Sequence, residues 1–257
     1  MSNRTRNTAP TSIAALQKSL RTSRRVNVVL AAVVFFLAIV VVAQTSSDAP
    51  TPGASAPGPT APGSDAAPTT SPTSGPAQRT DGDPQALGPV DAPVVISEWA
   101  DFRCPFCAVF TNETLPTLIQ EYVDKGLVRY EFNDAILFGE QSLNAAVAAR
   151  AAGEQGRFHE YMAAVYAAAP ERSHPDLPRE KLITFAESAG VPDINKFTAD
   201  LDRKDLRVAV EISNSRAKRL GATSVPYFVI GDEVVAGAQP IDTFRRILDE
   251  QLALAGR

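Results

Sequence analysis

The sequence predicts a mixed α/β domain over residues 87–257, and three observations carry that prediction. From Leu87 onward, short β-branched runs alternate with helix-period apolar patterns. The only two cysteines of the 257 residues, Cys104 and Cys107, fall between the first such run and the first helical pattern. Everything before residue 87 reads as something other than a packed core: a basic tail over 1–25, an apolar segment over 26–44 and a proline-rich stretch over 45–86.

Taking these in chain order, Arg4, Arg6, Lys18, Arg21, Arg24 and Arg25 precede the first acid, Asp48. The rest of the chain carries 19 bases against 29 acids, and so acidic a body argues against nucleic acid as a partner. Val28–Ala43 contains no polar residue. The segment 26–44 makes about 28 Å of helix, enough to cross a bilayer core. With the bases ahead of it, it predicts a single-pass anchor, the N-terminus cytoplasmic and the body outside the cell membrane. A cleaved signal peptide ending near Val41-Val42-Ala43 is the competing reading. Both deliver the body to an oxidising compartment. Eight prolines from Pro50 to Pro76, set among Ala, Ser, Thr and Gly, make 45–86 a disordered linker.

In the body, 93–99 (Pro-Val-Val-Ile-Ser-Glu-Trp) reads as a buried strand. A helix should start at Pro105 and be kinked or ended by Pro116. Leu127–Phe132 reads as a second strand. Helices are expected over 141–152, 158–168, 179–189, 193–201 and 206–220, with Gly190 and Gly221 as stops. Strands at Tyr227–Ile230 and Glu233–Ala236 should form a hairpin through Gly231-Asp232, and 240–254 closes the chain as an amphipathic helix.

The chemistry lies in Cys104-Pro105-Phe106-Cys107. Two thiols at this spacing can close a disulfide on themselves. A cysteine at a helix N-terminus meets unpaired N–H groups and the positive end of the dipole, which favour its thiolate. Cys104 is therefore the expected exposed nucleophile, with Cys107 one turn inside. A zinc site would need two more ligands, and only His159 and His174 are on offer, at the wrong spacing. A static disulfide would close almost no loop. No metal or cofactor is expected. Glu98 shares a strand face with Val94 and Ile96, so it should be buried, either as a structural ion pair or as a proton acceptor for Cys107. Asp101 reads as turn-forming, His159 as lying on a solvated face, and His174 as a loop residue without evident chemistry. Asn112-Glu113-Thr114 fits a glycosylation acceptor but falls inside the active-site helix.

Trp99–Cys107, Phe158, Gly221-Ala222-Thr223-Ser224-Val225-Pro226-Tyr227-Phe228 and Gly237-Ala238-Gln239-Pro240 together resemble the DsbA-like thiol–disulfide oxidoreductases. The resemblance implies a thioredoxin-like fold with a helical subdomain inserted over about 135–220. It implies a cis Pro226 facing the disulfide, with Val225, Pro105 and Phe106 in contact with substrate. Catalytic roles fall to Cys104, Cys107, Pro226 and Glu98. The best-known oxidase has histidine where this chain has Phe106, so a weaker oxidant is expected here. The implied activity is disulfide introduction into exported proteins with reduced cysteines. A monomer is expected, reoxidised by a membrane quinone-linked partner of the DsbB-like or VKOR-like class. A reductase or isomerase of the same fold, and a non-catalytic binding or chaperone module, are the alternatives.

Overall fold

The computed structural model describes residues 76–256. The expected tail 1–25, anchor 26–44 and most of the linker 45–86 lie outside the described residues. Among the described residues no helix is long and apolar enough to cross a membrane.

Among the described residues five strands form one sheet: β1 (Ala86–Leu87), β2 (Val94–Ala100), β3 (Val128–Asp134), β4 (Tyr227–Ile230) and β5 (Glu233–Ala236), in the order β1-β3-β2-β4-β5. β2 and β3 are parallel, and the other three pairings are antiparallel. All seven residues of β2 are buried, as a central strand covered on both faces requires. The parallel β2–β3 pair sets Ile96 opposite Tyr130 and Glu98 opposite Phe132, so the acid enters the apolar face of the sheet.

The helix α1 follows β2. It opens with an α-helical stretch, Pro105–Val109, and continues through a π-turn (Phe110–Thr114), an α-turn (Leu115–Leu118) and a second π-turn (Ile119–Val123). Pro116 does not end this helix, which runs on to Val123. The Leu115 N–H reaches back five residues to the Phe110 carbonyl. That wider turn places Pro116 at the start of a fresh α-turn, where its missing N–H costs no bond. Phe110 packs with Phe228 of β4 at 4.5 Å between ring centroids, and with Phe244 at 5.3 Å. Phe244 belongs to the last helix, α7 (Ile241–Leu254). This aromatic cluster locks α1 over the sheet.

Between β3 and β4 stand α2 (Glu140–Gly153), α3 (Phe158–Ala167), α4 (Arg179–Ser188), α5 (Ile194–Asp200) and α6 (Lys204–Arg219). The alanines of α2 let its neighbours pack close: Ala145, Ala148, Ala149, Ala151 and Ala152 are fully buried.

The folded body starts earlier than residue 87, which corrects the C-terminal end expected for the linker. Glu131 is buried on β3, and a buried carboxylate needs partners. It takes them from the chain before β1: the N–H groups of Gln78 and Arg79 each donate to it at 2.7 Å, beside Arg129 Nε at 2.9 Å. The Arg79 side chain donates to the carbonyls of Val90 and Ala92. β1 itself had no sequence expectation, since two residues carry no periodicity.

Candidate active site

The site forms where β2 ends and α1 begins. Cys104 is the N-cap of α1, with extended backbone (φ −84°, ψ 119°), and Pro105 opens the first turn. The Cys104 N–H donates to the Asp101 carbonyl at 2.9 Å, closing a tight turn between strand and helix. Asp101 supports that turn, as its sequence position suggests. Its carboxylate accepts from the N–H of Arg103 at 2.8 Å and from those of Leu137 and Phe138 at 2.8 and 3.3 Å.

The two thiols sit in different electrostatic environments. The Cys104 thiol is pulled below its ordinary range, first by the Cys107 thiol donating to it and then by the N–H groups of Cys107 and Phe106; its burial and the Asp101 charge oppose the shift. Cys107 is pushed well above its range by full burial, by its bond to Cys104 and by the nearby charges of Cys104 and Glu98. The expected exposure of Cys104 needs correction: the residue is only 2 % exposed, against 0 % for Cys107. The reason is the loop before β4. Its Val225–Pro226 peptide is cis, and the Val225 carbonyl lies 3.4 Å from Cys104 Sγ, where it accepts from the thiol form. Phe106 is the exposed side chain here, at 63 %.

Glu98 is fully buried beneath the pair, as its strand face predicts. Its partner is a phenol and not a base: the Tyr130 hydroxyl donates to Oε2 at 2.5 Å. Burial drives its carboxyl up to about 8, the Tyr130 hydrogen bond works against that, and the Cys104 charge adds to it. Oε1 of Glu98 and the hydroxyl of Tyr166 have no hydrogen-bond partner among the described residues. Cys104, Cys107, Glu98, Pro105, Phe106, Val225 and Pro226 are thus all drawn to one end of the sheet.

His159 departs from its expected solvated face, and His174, in its expected loop, makes a contact that the sequence does not announce. The His159 ring is buried against Phe158 and Tyr130, and burial lowers its pKa, because the first turn of α3 lies against the sheet edge. His174 reaches the cysteine loop, with Nδ1 at 2.8 Å from the Arg103 carbonyl. The Asn112 amide, on an exposed residue of α1, donates to the Tyr166 carbonyl at 3.0 Å. Among the described residues no group of three His, Cys, Asp or Glu side chains could hold a metal ion. Sequence reasoning gave no role to Tyr130 or Arg103 and read His174 as without evident chemistry. Tyr130 and His174 meet the site across the fold, and no local spacing announces them.

Known proteins resemble this chain in sequence and in fold. The family model described as Thioredoxin matches residues 80–250. The probable disulfide bond formation protein D of Bacillus cereus is 28% identical over 172 residues, covering 65% of this chain and 78% of the relative. The disulfide bond formation protein D of Bacillus subtilis is 23% identical over 168 residues, 65% and 76% of the two chains. Among solved structures, oxidised BdbD from Bacillus subtilis superposes with a TM-score of 0.62 at 23% identity, over 67% of this chain and 94% of that one. With the cysteine pair at the head of α1 and five helices inserted between β3 and β4, the chain belongs to the thioredoxin family, as a DsbA-like thiol–disulfide oxidoreductase.

Proposed function

We propose that this oxidoreductase is a disulfide oxidase acting on exported proteins, held at the outer face of the cell membrane by its apolar segment 26–44. The observation that carries the direction is the asymmetry of the pair. A stabilised Cys104 thiolate favours the reduced form, and whatever stabilises the reduced form makes the disulfide more oxidising. The relatives named as disulfide bond formation proteins support the same direction.

In the proposed cycle a substrate thiolate attacks Cys104 Sγ of the enzyme disulfide. The Cys104–Cys107 bond breaks, a mixed disulfide forms at Cys104, and Cys107 leaves as a thiolate. With so high an affinity for protons, Cys107 takes one at once, and the neutral carboxyl of Glu98 is the donor within electrostatic reach. A second substrate thiolate then attacks the substrate sulfur of the mixed disulfide and expels Cys104, a good leaving group because its thiolate is stabilised. The substrate loses two electrons, which the two enzyme sulfurs gain; its two thiol protons leave to solvent as its thiolates form, and the Cys107 proton comes from Glu98. Reoxidation by a membrane quinone-linked partner runs the steps backward, with ionised Glu98 accepting the Cys107 proton. Val225 and Pro226 face the sulfur that carries the substrate, and Phe106 offers it an apolar surface.

The redox state of Cys104 and Cys107 in growing cells, trapped by alkylation, tests the direction. An oxidase is recovered mostly as disulfide. A mostly dithiol population makes the protein a reductase or isomerase instead. Carbonate extraction of membranes tests the tether: the full-length chain should stay with the membrane, and release of a body lacking about the first 43 residues would mean a cleaved signal.

A further inference from the structure

The helical block touches the cysteine loop through the segment 174–176, which leads into α4. It closes on Arg103, the residue before the nucleophile. Arg103 Nε–H donates to the Pro175 carbonyl at 2.8 Å, and its guanidinium lies 3.7 Å from the Asp176 carboxylate. Its Nη1 donates to the Phe138 carbonyl at 2.6 Å. The Arg103 carbonyl pairs with His174 Nδ1 at 2.8 Å. A carbonyl only accepts, so the bond assigns the proton to Nδ1. The His174 ring is stacked on Phe138, centroids 3.8 Å apart, which fixes its plane.

That carbonyl belongs to the peptide whose N–H is that of Cys104. The unit is planar, so holding its oxygen holds its N–H and the direction from which the chain enters Cys104. The Cys104 N–H, on the other side of the same unit, is held by the Asp101 carbonyl. The peptide is gripped at both ends, one grip local and one supplied from 71 residues away. What depends on it is the aim of the sulfur: the Cys104 thiolate is favoured by the N–H groups of Phe106 and Cys107, and a tilt at the cap draws it off them.

We infer that His174 is a positioning residue for disulfide exchange: through the Arg103 carbonyl it holds the peptide that leads into Cys104, keeping the sulfur on the N–H groups at the head of α1. The inference rests on the oxidoreductase reading and deepens it. The action runs through the Nδ1–H bond, which the neutral Nδ1 tautomer and the cation both keep, so it needs no titration of the ring.

Full-length wild type is compared with His174→Ala, which loses the donor, and His174→Asn, whose amide N–H can reach the same carbonyl. The readouts are the Cys104 pKa, from thiolate absorbance against pH, and the rate of exchange with glutathione. His174→Ala should raise that pKa and slow exchange by about tenfold, since small misplacements of a reacting atom are costly. His174→Asn should recover most of both. Should His174→Ala fail to fold, His174→Leu keeps an apolar group on Phe138 without the donor and carries the same expectation. A wild-type pKa and rate in the donor-less variant, even with a lowered Tm, would overturn the inference, and so would His174→Asn behaving no better than alanine. Those outcomes leave the oxidoreductase reading intact. Wild type that exchanges no thiols would overturn the reading itself.

Discussion

Cys104 and Cys107 stand one helical turn apart and are driven in opposite directions. The head of α1 surrounds Cys104 with donors: the Cys107 thiol and the N–H groups of Phe106 and Cys107. The space beneath surrounds Cys107 with apolar side chains, a carboxyl and a phenol. The first environment favours negative charge and the second excludes it. A disulfide between two such sulfurs has a built-in polarity, so incoming thiolates find one good point of attack and the departing sulfur must be protonated.

The largest effect should come from removing one sulfur at a time. Cys107→Ser keeps the nucleophile and deletes the resolving thiol, so when the Cys104 thiolate attacks oxidised glutathione and expels one glutathione thiolate, the mixed disulfide should accumulate at Cys104. Cys104→Ser should form almost none. Mass spectrometry of trapped adducts reads this directly, and comparable adduct yields from the two variants would erase the asymmetry on which the mechanism rests.

Next in size is Glu98→Gln, which keeps the shape beneath Cys107 and removes the ionisable proton. Exchange should fall by about a hundredfold, the scale of a lost general acid–base group. The same change should alter stability with a definite sign. In the reduced protein the carboxyl ionises near 8 against 4.5 unfolded, so the folded state holds a proton that the unfolded chain gives up. Stability therefore declines as pH rises from about 4.5 to about 8, and glutamine removes that decline. The Tm difference in favour of Glu98→Gln should widen between pH 5 and pH 8. A constant difference would mean that Glu98 ionises normally.

Phe106→His sharpens the other side of the comparison. An imidazole beside Cys104 would stabilise the thiolate of the reduced form and do little for the neutral disulfide. A gain of about 1.4 kcal/mol raises the two-electron potential by about 30 mV. The Cys104 pKa should fall with it, since one interaction drives both. Glutathione equilibration and thiolate absorbance on the same samples test the link. A potential that stays put while the pKa drops would break it.

The donor-rich side of this comparison was largely legible in the sequence, because it is local. A strand, a two-residue turn, Cys104 and Pro105 are neighbours in the chain, and a proline at the first helical position needs no tertiary contact to be read. The burial of Glu98 was legible too, from its alternation with Val94 and Ile96. Its partner was not. Tyr130 reaches Glu98 because β2 and β3 pair in parallel in one register, and no local pattern sets that register. The grip of His174 on Arg103 was hidden for the same reason, at 71 residues of separation. The helix runs past Pro116 because helix-breaking assumes four-residue hydrogen bonding, and a π-turn sidesteps it. The strap over 76–85 read as linker because its anchors, the N–H groups of Gln78 and Arg79 and the Arg79 side chain, find partners that no local pattern points to.

The smallest change expected here is Tyr130→Phe. It leaves the ring in the core and removes a single hydroxyl. That hydroxyl donates to Glu98 Oε2, and its bond is the main influence holding the Glu98 carboxyl down against burial. Without it the carboxylate loses its strongest donor while remaining fully buried, so ionisation should move above the present value of about 8. A hydrogen bond to a charged group contributes about 1.5–3 kcal/mol, and part of that is recovered by the neutral acid, so the movement should be about one pH unit. The pH profile of exchange should shift with it, keeping its height on the acid side, where the carboxyl is already protonated. The carboxyl carbon signal of Glu98, followed by NMR in reduced wild type and Tyr130→Phe, gives the midpoint without relying on turnover. A midpoint that moves down would show that the phenol stabilises the neutral acid more than the carboxylate. The apolar surroundings alone would then have to account for the raised pKa beneath Cys107.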